Sequence, residues 1–162
     1  MRQLTTISAL ACIALAGPAA ARATTPTTTD TATRRSIPNY PPCPGFQTHA
    51  EFDLDRTTTT FYDSDGTAIR MAQHVHADGT LSNPLTGKTL ADSGDFKVIV
   101  DLITGQRTID GKINAATAPG AGVVYQAVGR LAFDPDGAIF EAGPHDDADN
   151  DFGALCAYLA DS

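Results

Sequence analysis

The chain has 162 residues, with 19 acidic against 11 basic side chains and a formal net charge of −8. That balance excludes the basic footprint of a nucleic-acid binder or of a protein drawn to an anionic membrane surface. Only Glu51 and Glu141 among the acids are glutamates, and so marked an aspartate excess suits turns and a well-solvated surface.

The first 23 residues read as an export signal. Arg2 supplies a positive start, Ile7 to Leu15 is a short apolar core, and Ala21-Arg22-Ala23 is a small-x-small cleavage pattern, so the mature chain is expected to begin near Thr24. The apolar run is too short to span a bilayer. Cys12 lacks the leucine three places before it that a lipoprotein signal uses, Ala9 standing there instead, so secretion without a stable membrane anchor is expected. Without Arg2 and Arg22 the net charge becomes −10.

Residues 24–42 are Thr- and Pro-rich with little to bury and read as a disordered spacer. Residues 43–162, about 120 in all, are enough for one domain with one core. Cys43 and Cys156 bracket that domain, and two cysteines in an exported chain predict one disulfide joining its ends. Closing so long a loop stabilises by roughly 4 to 5 kcal/mol in the chain-entropy account.

From Phe46 onward the pattern is hairpin after hairpin. Ala50, Phe52 and Leu54 alternate with Glu51, Asp53 and Asp55, the β-branched run Thr57 to Thr60 follows, and Asp63-Ser64-Asp65-Gly66 turns the chain. Ile69, Met71 and Val75 share one face of the next strand while Arg70, His74 and His76 share the other, with a turn expected at Ala77-Asp78-Gly79. Thr80 to Leu90 reads as an irregular element interrupted by Pro84, and Ser93-Gly94 as a further break. A two-residue Thr104-Gly105 loop sets Phe96 against Ile113, Val98 against Gly111 and Val100 against Ile109.

Val123 to Phe133 alternates with period two, and Asp134-Pro135-Asp136-Gly137 closes a hairpin whose second arm runs Ala138 to Gly143. An acidic loop follows. Phe152, Leu155, Cys156 and Leu159 then recur at helical spacing, predicting a short C-terminal helix within Asp151 to Ala160. Seven strands without crossover helices predict an all-β, antiparallel up-and-down meander, closed into a β-barrel of about seven to eight strands, with a two-sheet β-sandwich as the alternative. Gly111 and Gly129, each inside a strand, suit the coiling of a small barrel.

The order Cys43, Asp65-Gly66, Asn83-Pro84-Leu85-Thr86-Gly87-Lys88-Thr89, a Thr-Gly turn, Gly129-Arg130 and a final Cys156 resembles small exported actinobacterial proteins of unknown function. The resemblance implies a barrel similar in type to those of allene oxide cyclase and dirigent proteins. It is one of layout, matches no catalytic motif of either enzyme family, and implies no activity.

Four groups of residues could carry chemistry. Thr86-Gly87-Lys88-Thr89 looks like the tail of a phosphate-binding loop, but Ser82 stands where that loop needs glycine and no helix follows, so a turn with a solvated Lys88 is expected. His74 and His76 project from one face of a strand, with His49 and Glu51 on its neighbour, yet Arg70 shares that face, and a polar outer surface is expected in place of a metal site. Asp147, Asp149 and Asp151 alternate like calcium ligands, but Gly153 falls one place late and Tyr158 replaces the bidentate glutamate; helix-start acidity is the plainer account. No cofactor is expected.

Glu141 is the fourth. With Phe133 facing Ile139, the hairpin register puts Glu141 opposite Leu131 on the apolar face, where burial would raise its pKa and suit it to general acid–base work. The leading expectation is a non-catalytic secreted barrel holding a small apolar molecule against Phe96, Val98, Tyr125, Leu131 and Phe133, with Glu141 available to a polar head group. An isomerase or cyclase acting through Glu141 is the enzymatic alternative. A filled barrel acting by its outer surface in extracellular interactions is the third.

Overall fold

The computed structural model describes residues 25–137, 139–149 and 151–160. The expected leader, 1–23, and its cleavage point at Thr24 lie outside the described residues. Seven strands form one antiparallel sheet in sequence order: β1 (Thr27–Pro38), β2 (His49–Tyr62), β3 (Ala68–Asn83), β4 (Lys88–Asp101), β5 (Arg107–Ala118), β6 (Gly122–Phe133) and β7 (Ile139–Ala142). Two short helices follow, α1 (Asp146–Asp149) and α2 (Gly153–Ala160). The meander and the C-terminal helix are as the sequence predicts. The barrel is not closed, because β1 and β7 remain the two edges of the sheet, and one sheet is not a sandwich.

Strand number agrees while strand identity does not. The stretch expected to be a disordered spacer contains β1, twelve residues paired in unbroken register with β2 from Thr27 opposite Thr60 to Pro38 opposite His49. Almost nothing on β1 is buried; Ile37 alone is half-buried. What orders it is ladder hydrogen bonding and side-chain pairing: Thr57 donates to Asp30 at 2.7 Å, Arg34 donates to Glu51 at 3.1 Å, and the Thr28 and Thr59 hydroxyls lie 3.3 Å apart. A reading keyed to apolar burial overlooks a strand built of β-branched polar residues.

The irregular element at Thr80 to Leu90 is instead the tip of one long hairpin. β3 runs straight through Ala77-Asp78-Gly79 and β4 through Ser93-Gly94. Neither glycine turns the chain; each lets another group come close. A Cβ on Gly79 would overlap the Phe52 ring, and one on Gly94 would overlap the Ile113 carbonyl oxygen. The β4–β5 loop is also wider than predicted, with Val100 opposite Arg107, Val98 opposite Ile109 and Phe96 opposite Gly111. That register differs from the predicted one by two residues, so faces are kept and partners change. Asp101 explains the width: its carboxylate accepts from the backbone N–H groups of Ile103 and Thr104 at 2.9 and 2.8 Å, building a larger turn.

One face of the sheet is covered at one end only. There Phe152, just before α2, and Leu155 and Leu159 on it lie against Ala50, Leu81, Leu90, Ala116 and Tyr125, a core in which Leu81, Leu155, Leu159 and Tyr125 are fully buried. Cys43 and Cys156 are joined by a disulfide, with 5.5 Å between their Cα atoms. At the other end the same face carries Thr58, Met71, Gln73, Val98, Val100, Ile109 and Leu131, all half-buried. The sheet therefore has a capped end and an open end.

Candidate functional site

Between those ends the inner face is hollow. A cavity of about 290 Å3 is lined by Arg35 and Ile37 of β1, Tyr40 of the following loop, Phe52 and Leu54 of β2, Ala77 of β3, Phe96 of β4, and Ile113 and Asn114 of β5. Residues from β1 and from β5, with three strands between them in the sheet, share one cavity, so the sheet curls around it. The curl has a local cause: Gly111 and Gly129 face each other across β5 and β6 with φ of 125° and 123°, a conformation closed to side-chain-bearing residues at little cost. An irregularity in β5 between Lys112 and Asn114 adds to the bend, and Asp92 supports that segment by accepting from the Ala115 N–H at 2.9 Å.

The walls are apolar by strand parity. Phe52, Leu54, Ala77 and Phe96 occupy successive inward positions while Glu51, Asp53, Asp55, Asp78 and Asp95 point outward. The floor is polar. Tyr40 and Tyr125 hydroxyls meet at 2.8 Å, and the Asn114 amide donates to Tyr125 at 3.1 Å and to Tyr40 at 3.5 Å. Tyr125 is fully buried, so this hydroxyl pair separates the cavity from the core beneath α2.

Of the lining predicted from sequence, only Phe96 belongs to this cavity. Tyr125 lies beneath it, in the core. Val98 and Leu131 are on the same face further out, aligned in one row through Ile109, and Phe133 sits at the open end under the Arg107 guanidinium at 4.4 Å. Glu141 does pair with Leu131, as the hairpin register required, but its side chain is exposed on a four-residue edge strand. The burial on which acid–base chemistry at Glu141 depended is therefore absent. The edge strand explains this, since among the described residues no further strand pairs with β7 to exclude water.

The remaining candidates resolve into structural roles. Lys88 places its ammonium 4.4 Å from the centre of the Tyr158 ring and is not simply solvated. Its loop grips the helix: the Asn83 amide and the Thr86 hydroxyl both donate to the Leu159 carbonyl, at 3.0 and 3.2 Å. His74 and His76 are exposed on the outer face, where His74 Nε2 lies 3.0 Å from Asp95 and His76 Nε2 lies 3.1 Å from Asp78. The His74 hydrogen bond, and to a lesser degree that of His76, holds the Asp95 carboxyl below its usual range. His49 and Glu51 are not beside them; the register sets those two opposite Ser82 and Thr80.

In the acidic segment, Asp146 accepts from the Gln126 N–H at 2.7 Å and Asp151 from the Gly153 N–H at 3.4 Å. The side chain of Asp147 falls outside the described set. Among the described residues no group of three or more His, Cys, Asp or Glu side chains is arranged to hold a metal ion.

Sequence reasoning missed most of the cavity. Phe52 and Leu54 were legible as inward residues of a strand, but Arg35, Ile37 and Tyr40 lay in the stretch read as a spacer. Ile113 and Asn114 sit where β5 departs from regular pairing, which alternation alone does not locate.

No family model, no curated protein and no solved structure matches this chain. The functional reading rests on the cavity itself.

Proposed function

We propose that this is an exported, non-catalytic binding protein whose curled sheet serves as an incomplete barrel holding one small, mostly apolar molecule. The observation that carries the reading is the hollow of about 290 Å3 on the inner face, walled by Ile37, Phe52, Leu54, Ala77, Phe96 and Ile113. That size stands at the lower end of small-molecule pockets, and apolar walls with a few convergent polar groups are what such pockets use. Export is supported by the leader pattern and by the Cys43–Cys156 disulfide, a bond that persists in oxidising compartments.

The capped end supplies the rigidity that binding needs. With α2 pinned by the disulfide and by the β3–β4 loop, the cavity floor at Tyr40, Tyr125 and Asn114 is fixed before a ligand arrives, which limits the ordering cost of binding. Native mass spectrometry of the protein recovered from its culture supernatant tests the reading. The expected spectrum contains a discrete adduct of small-molecule mass that disappears on denaturation and solvent extraction. A bare polypeptide mass, together with no uptake of any apolar probe by the purified protein, would overturn it in favour of a fold that acts by its outer surface.

A further inference from the structure

The arginines divide sharply by environment. Arg34 pairs with Glu51 at 3.1 Å, Arg130 forks onto Asp110 at 2.6 and 3.1 Å, and Arg70 and Arg107 lie over the rings of Phe61 and Phe133. Arg35 and Arg56 have none of these among the described residues. Both occupy inward positions, Arg35 opposite Phe52 and Arg56 opposite Thr31 and Val75. Arg56 is half-buried, and its Nε is buried with no acceptor.

The carboxylates explain the isolation. Acidic side chains on β2 and β3 point outward, and along β1 to β4 the other ionisable groups at inward positions are Lys88, engaged with Tyr158, and Asp92, engaged with the Ala115 N–H. Among the described residues, the part of the hollow side built by β1 to β4 thus carries two arginines without carboxylate partners, Arg56 half-buried and Arg35 exposed. A partly desolvated guanidinium lacking an acceptor is costly, and such a group calls for an anion.

Register fixes where that anion would sit. Leu54 lies two positions before Arg56 on β2 and is the diagonal neighbour of Arg35 across the β1–β2 pair, whose direct partner at Leu54 is Thr33. Arg35 is then about 7 to 8 Å from Leu54 across the pair and Arg56 about 6.6 to 6.8 Å from it along β2, separations that long side chains span. Two guanidiniums balance a dianion better than a single negative charge, and guanidinium forks match phosphate oxygens. Beside them Phe52, Ala77 and Phe96 offer a short apolar wall.

We propose that the hollow takes a phosphate monoester carrying one short apolar chain, its head over Leu54 between Arg35 and Arg56 and its chain against Phe52, Ala77 and Phe96. The assignment rests on the binding function proposed above and names its ligand class.

Titration calorimetry at pH 8, where a monoester is dianionic, decides it with four probes: decyl phosphate, decyl sulfate, decanol and inorganic phosphate. The expected order for the wild-type protein is decyl phosphate at least tenfold tighter than decyl sulfate or decanol, with inorganic phosphate weakest and added salt weakening decyl phosphate alone among the tight binders. Arg35→Gln and Arg56→Gln should each lose about tenfold for decyl phosphate and leave decanol unchanged, whereas Arg34→Gln, on the outer face, should change neither. Equal affinity for decyl phosphate and decanol would overturn the head-group assignment and leave the apolar hollow standing. Failure of every chain-bearing probe to bind would overturn the hollow itself. Inorganic phosphate binding as tightly as decyl phosphate would reduce the site to an anion site and overturn the apolar chain. Should either arginine variant fail to fold, the wild-type ranking and its salt dependence decide alone.

Discussion

Two side chains hold one carbonyl at the end of α2, and the arrangement shows how much rests on single residues. The last carbonyls of a helix lack partners within it, and that of Leu159 is taken by Asn83 and Thr86 from the β3–β4 loop. Asn83 is buried, so Asn83→Ala should destabilise by about 1 to 2 kcal/mol, and Thr86→Val by about 1 kcal/mol or less, in urea unfolding. Equal, negligible losses for both would contradict the clamp. On the outer face, Asp95 has a folded-state pKa depressed mainly by its His74 hydrogen bond. A depressed carboxylate contributes stability that is present above its unfolded pKa of about 3.8 and is lost as pH falls through the lower folded value. Asp95→Asn should therefore lower stability slightly at pH 7, the group being exposed and screened, and flatten the fall below about pH 4, so that the two proteins converge in acid. Some of this scale was legible beforehand. The outward direction of His74 and His76 followed from parity with Met71 and Val75, whereas the exposure of Glu141 did not, because alternation gives the face of a residue and not whether anything covers it.

At the scale of elements, the glycines account for both the successes and the misreadings. Gly111 and Gly129 bend β5 and β6 with φ of 125° and 123°, as in-strand glycines in a coiled sheet should. A Cβ on Gly129 would also overlap the Ala142 carbonyl oxygen, so Gly129→Ala is expected to cost about 1 to 3 kcal/mol and to weaken the β6–β7 pairing. Hydrogen exchange should then quicken first at β7. Gly79 and Gly94 carry the same sequence signature as turn glycines, and only the approach of Phe52 and Ile113 reveals their purpose. Local composition cannot distinguish a glycine that reverses the chain from one that admits a neighbour. The same limit hid β1, whose stability comes from pairing with β2 and not from anything it buries. Removing residues 25–38 should expose the β2 edge, strip Arg35 and Ile37 from the cavity, and abolish apolar-probe uptake while the core beneath α2 persists.

For the molecule as a whole, the division between a capped core and an open hollow separates where the stability resides from where the proposed ligand would sit. The disulfide closes a separation of 113 residues and ties the loop before β2 to the helix that covers the core. Reducing it should lower stability by about 4 to 5 kcal/mol in the chain-entropy account, moving the urea midpoint by roughly 2 M. The pairing was legible from two cysteines in a chain whose leader pattern reads as export, as was the meander from its run of short turns. Closure was not, because it depends on whether the edge strands reach each other, and β7 is only four residues long. On the binding function proposed above, the unclosed sheet shelters an apolar molecule on its inner face. Nuclear magnetic resonance titration of the isotope-labelled protein with decanol tests it most directly. The account predicts saturable shifts confined to Ile37, Leu54, Ala77, Phe96 and Ile113, with His74, Lys97 and Ile99 on the outer face unmoved; shifts confined to the outer face, or none at all, would contradict it.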